Sequence, residues 1–246
     1  MFSISRALVA RKFALEEGFR WRGEDITRIE SLSDAVFALA VTLLIVSTEV
    51  PHTYRELLDS LRNFLPFAVC FIQIMIVWYQ HYLYCRRYNL QDYWSTVLSM
   101  SLLFVVLLYT YPLKFLFTVL FNSHGREAAS IGSYADFSDL MTIYALGYLS
   151  VFAIFFAMYI RIWRRRDALE LTEIECWDTK HSIREFAIQI GVGLLSLTLA
   201  RALDGELIGL SGICYGLLGP LMALHGYWSG KRRRLLSAKY CVLSAE

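Results

Sequence analysis

Six long apolar stretches recur along the chain, separated by short polar segments: Leu32 to Val50, Leu61 to Tyr84, Trp94 to Phe121, Leu140 to Trp163, Ile183 to Leu203, and Leu207 to Trp228. A helix rises about 1.5 Å per residue, so about 20 apolar residues span the hydrocarbon of a bilayer, where the backbone must satisfy its own hydrogen bonds. The pattern predicts an all-α, polytopic membrane protein with six transmembrane helices. The last two stretches are parted only by Asp204, Gly205 and Glu206, and Gln189 interrupts the fifth. Residues 1–30 read as an N-terminal segment, 31–230 as the six-helix membrane domain, and 231–246 as a basic tail.

Cations set the orientation, because Lys and Arg near span ends are retained on the cytoplasmic side. Six precede the first span, Arg86 and Arg87 follow the second, six lie between Arg161 and Arg184, and five fall between Lys231 and Lys239. An even number of spans with both termini cytoplasmic places these 19 of the 24 Lys and Arg on one side. The runs Arg164 to Arg166 and Lys231 to Arg234 then read as orientation signals and lipid head-group contacts, with no nucleic-acid partner.

Composition agrees: 57% of residues are hydrophobic and the mean hydropathy is +0.45, which excludes a soluble enzyme. Cys70, Cys85, Cys176, Cys214 and Cys241 show no Cys-x-x-Cys spacing and read as packing residues, outside any disulfide frame or zinc site. Met1 to Trp21 lacks a signal-peptide pattern, so it is expected as an amphipathic surface helix or a frayed cytosolic tail. Asn122 to Asp139, rich in polar residues, reads as an exposed extracytoplasmic loop.

Charges are costly within spans, and Arg28, Glu30 and Asp34 open the first. Arg28 and Asp34 are six residues apart, about 600° around a helix, so each must find its partner elsewhere. Further along, Leu39, Thr42, Leu43 and Val46 form one stripe at helical spacing. On its own such a stripe reads as core packing, with the Thr42 hydroxyl satisfied by a carbonyl one turn back.

Arg28-x-x-x-Leu32-Ser33-Asp34, with Ala35 to Leu44 after it, resembles the R-x-x-x-F-S-D opening of the transmembrane protein 175 potassium-channel family. Trp78 and His81 late in the second span, and Ser101 to Pro112 in the third, extend the likeness over Arg28 to Pro112. Leu32 replaces the motif Phe, Ala35 a frequent Gly, Ser101 the family Asn, and Tyr82 a second His. One motif copy in six spans is similar to the short prokaryotic form, which implies a homotetramer in a prokaryotic plasma membrane, without a re-entrant pore loop.

The resemblance moves the stripe from core to pore. It implies a constriction at Leu39, further apolar layers at Leu43 and Val46, and selectivity at Thr42. Arg28, Ser33, Asp34, Trp78 and His81 become a polar network holding the pore helix. Potassium is implied as the permeant ion, with modest preference over sodium, and the implied partners are other copies of the chain and membrane lipids. No cofactor or metal is expected. A small secondary transporter with a proton relay at Arg28, Asp34 and His81 is the rival reading. A membrane enzyme is the third, but neither His-x-x-x-His nor Gly-x-Ser-x-Gly occurs, and His52, His124, His181 and His225 are scattered near span ends.

Overall fold

The computed structural model describes residues 15–16, 19–23, 25–46, 52–55, 57–58, 64–121 and 133–243. Among these residues six long helices carry the fold: α1 Arg28–Val46, α2 Phe64–Tyr88, α3 Tyr93–Phe121, α4 Tyr134–Arg164, α5 Glu173–Ala202 and α6 Leu218–Leu243. Between α5 and α6 run two 3-10 turns, Gly205–Gly209 and Cys214–Leu217, flanking one α-turn, Leu210–Ile213. Helices α2 to α5 and the segment Leu207–Lys231 are long and apolar enough to cross a membrane. Among the described residues helix α1 is not one of these five; its first two turns carry Arg28, Glu30 and Asp34 ahead of the apolar run.

Besides α1, which starts four residues before Leu32, two helices start well ahead of where hydropathy predicts, because polar caps fix their first turns. Ser133 accepts a hydrogen bond from the Asp136 N–H at 3.2 Å, so α4 begins six residues before Leu140 and within the expected loop. Thr172 and Glu175 form a capping box that starts α5 ten residues before Ile183. The added turns of α5 bring Glu175 and Asp178 to the end of the bundle that carries Arg86, Arg87 and Arg161, here the basic end. Residues 122–132 of the expected loop lie outside the described residues.

Packing follows chain order. Helix α1 lies against α2 and α3, α3 against α4, α4 against α5, and α5 against α6. Small residues allow the closest approaches, as is common between membrane helices. A Cβ on Gly147 would stand 2.2 Å from the Tyr109 ring, and one on Gly193 would stand 2.8 Å from Leu149 Cδ2. Toward the basic end the core is aromatic: the Tyr159 ring lies 5.7 Å from Tyr84, 5.7 Å from Tyr88 and 5.2 Å from Phe186.

Ahead of α1, β1 (Leu15–Glu16) pairs antiparallel with β2 (Phe19–Arg20). Phe19 is 1% exposed and meets Tyr88 edge-on at 5.6 Å. At the described positions the N-terminal segment is therefore neither a surface helix nor a free tail, because burying one phenyl ring and several main-chain hydrogen bonds seats it on the bundle. Residues 1–14 lie outside the described residues. Cys70, Cys85, Cys176 and Cys214 are free thiols.

Candidate functional site

Helix α1 starts with its own capping box: the Thr27 hydroxyl accepts from the Glu30 N–H at 3.2 Å, and the Glu30 carboxylate accepts from the Thr27 N–H at 3.4 Å. Beyond it the helix has two faces. Glu30, Ser33, Phe37, Ala40 and Leu44, spaced three and four apart, are buried against α2 and α3. Leu32, Ala35, Ala38, Leu39, Thr42 and Ile45 are exposed, and Leu39 is 50% so. Leu43 is half-buried between the faces, and the Val46 side chain lies outside the described residues. Thr42 donates to the Ala38 carbonyl at 2.8 Å, one turn back.

The structure brings some of the motif residues together and separates others. Trp78 Nε1 donates to Asp34 at 2.8 Å, and the Trp78 ring stacks on Tyr82 at 5.8 Å. Ser33 closes on its own helix, donating to the Ile29 carbonyl at 2.7 Å. His81 is 1% exposed, with Nε2 3.2 Å from the Ser99 hydroxyl and its ring tilted against Phe37 at 6.4 Å. Arg28 is exposed and makes no ion pair or hydrogen bond among the described residues.

Five partnerships go beyond the residues that the sequence singled out. Arg86 Nε pairs with Glu30 Oε1 at 3.2 Å, tying α2 to the first turn of α1. Ser99 is the His81 partner on α3, whereas Ser101 donates to its own Val97 carbonyl at 2.8 Å. Lys114 Nζ donates to the Leu44 carbonyl at 2.9 Å, in the last turns of α1, where it lines a cavity of about 230 Å³ with Leu43, Tyr111 and Phe115. At the basic end Asp92 pairs with Arg161, and Glu175 takes Arg22 Nη2 at 2.8 Å. Of these, Glu30 and Glu175 carried a local signal, the Thr27-x-x-Glu30 and Thr172-x-x-Glu175 spacings.

A polytopic helical bundle whose first helix leaves a polar and aliphatic stripe turned away from its own subunit is the architecture of a protein that works in the membrane. Comparison with known proteins identifies the group. The family described as endosomal/lysosomal potassium channel TMEM175 matches residues 28–110. A potassium channel of Marivirga tractuosa is 39% identical over 235 residues, covering 90% of this chain and 95% of the relative. A second, from Chamaesiphon minutus, is 27% identical over 203 residues, covering 77% and 90%.

Among solved structures, a variant of the potassium channel MtTMEM175 bound to a nanobody fusion superposes with a TM-score of 0.78 at 37% identity, covering 88% of this chain and 99% of that one. The lysosomal potassium-selective TMEM175 homologue from Chamaesiphon minutus shares the fold, with a TM-score of 0.55 at 21% identity over 80% and 96%. The chain belongs to the TMEM175 potassium-channel family.

Proposed function

We propose that this protein is a potassium-permeable channel of the prokaryotic membrane, formed by four copies of the chain around a pore lined by α1. The observation that carries the reading is the open face of α1: Leu39 and Thr42 point away from their own subunit, on the side opposite the buried Phe37 and Ala40. Four Leu39 side chains meeting on an axis make a narrow apolar ring. Such a ring blocks ions by dewetting, because the ion has to shed water with nothing to replace it. Leu43 and Val46 extend the apolar layers, and Thr42 supplies the hydroxyl for selectivity. Without a carbonyl cage, preference for potassium over sodium is modest.

Asp34, held by Trp78, and Ser33 and His81, packed toward α2 and α3, serve as the network that keeps α1 in register. Arg28, exposed in the single chain, takes its partner from a neighbouring copy. The transporter reading loses support from the same geometry, since among the described residues no hydrogen bond links Arg28, Asp34 and His81 into a relay.

Potassium flux from liposomes holding the purified protein tests the proposal. Wild type passes potassium down its gradient without a coupled substrate, and Leu39→Ala and Leu39→Asn both alter that flux. Wild-type liposomes that hold their potassium, or variants indistinguishable from wild type, would overturn it.

A further inference from the structure

Arg86 grips the chain at two points on either side of the turn that leads into α1. The N–H groups of Arg22 and Gly23 both donate to the Arg86 carbonyl at 3.1 Å, and Arg86 Nη1 donates back to the Gly23 carbonyl at 2.9 Å. The same guanidinium places Nε 3.2 Å from the Glu30 carboxylate. A Cβ on Gly23 would stand 3.1 Å from the Cys85 carbonyl and 3.3 Å from Arg86 Cα, so any side chain here would push the two backbones apart by a few tenths of an ångström. Just upstream, Arg22 Nη2 meets Glu175, itself 0% exposed, at 2.8 Å, and Asn89 donates to the Arg22 carbonyl at 3.1 Å. The segment before α1 is thus bolted to α2 and α5, and Arg86 carries that anchorage onto the pore helix.

Geometry gives the anchor a consequence. Leu39 follows Glu30 by nine residues, about 900° or two and a half turns, so the two side chains stand on opposite faces of α1. Whatever holds Glu30 toward α2 turns Leu39 away from it. We infer that Arg86 is a positioning residue for α1, fixing through Glu30 and Gly23 the rotation at which Leu39 and Thr42 are presented. The inference rests on the reading of α1 as the pore helix. Loosening the grip frees the helix to rotate or tilt at its basic end, which moves the constriction without touching it.

The test is potassium flux from liposomes holding the full chain, with melting and size-exclusion elution recorded for each variant. Arg86→Met and Glu30→Gln are each expected to change flux about three- to thirtyfold, the range in which contacts couple parts of a protein. The double variant is expected to go no further than the larger single change, and Arg86→Lys, which keeps the charge facing Glu30, to recover part of the wild-type behaviour. Gly23→Ala leaves every charge in place and is expected to shift flux in the same direction as Arg86→Met, so it carries the test where Arg86→Met fails to assemble.

Flux within twofold of wild type in Glu30→Gln and Gly23→Ala, or additive effects in the double variant, overturns the positioning role. Leu39→Asn, measured alongside, separates the two failures. If it changes flux while the Arg86 and Glu30 variants do not, the pore reading stands and the anchor falls; if it too is silent, the pore reading is the part that failed.

Discussion

Trp78 and Asp34 meet at 2.8 Å across the α1–α2 contact, and a hydrogen bond to a carboxylate contributes more than one between neutral groups. Trp78→Phe keeps a smaller ring for stacking on Tyr82 and removes the donor together with part of the indole. Its expected cost is about 1–2 kcal/mol, read as a lower melting temperature in detergent; an unchanged melt would mean that Asp34 is held by something else. Lys114 acts at the other end of α1, where the last carbonyls of the helix carry the negative pole of its dipole. Lys114→Met is expected to destabilise by about 0.3–2 kcal/mol, with Lys114→Arg close to wild type in the same melting assay. Equal melts for Met and Arg would contradict the capping role. Residue scale is also where the sequence was least informative. Arg86 read as an orientation charge and Ser99 did not stand out at all, because their meaning lies in contacts with Glu30 and His81 that no spacing along one helix encodes. Asp34 stood out as a charge within a span, whereas its partner Trp78 was legible only through the family pattern.

Helices, by contrast, announce themselves through hydropathy, since a bilayer tolerates few charges over twenty residues whatever the tertiary packing. Among the described residues five of the six expected spans appear in order as segments long and apolar enough to cross a membrane, the last of them broken by 3-10 turns before α6. At α4 and α5 the difference falls at the start, where Ser133 and Thr172 begin the helices outside the apolar runs. Close helix contact was not legible in the same way: Gly147 and Gly193 look alike on paper to other glycines of the chain, and only the neighbouring Tyr109 and Leu149 give them work. Gly147→Val is expected to force the Tyr109 ring out of its place between α3 and α4 at a cost of about 1–3 kcal/mol. Thermal unfolding in detergent checks this, and a variant that melts with wild type would show that the interface can spread freely.

At the scale of the whole molecule, one fact about α1 organises the account: it packs on two helices and leaves its other face open. In a lone subunit that face, with Asp34 and Thr42 on it, would confront lipid; in a ring of subunits it faces neighbours and water, which suits its polar residues far better. The most direct measurement is therefore whether water reaches this face in the working protein. Thr42→Cys, reconstituted in liposomes, should lose potassium flux when a charged, water-soluble thiol reagent is added, while wild type and Leu108→Cys, placed on the exposed face of α3, keep theirs. Thr42→Cys that conducts and resists the reagent, or Leu108→Cys that is blocked in its stead, would contradict a pore lined by α1.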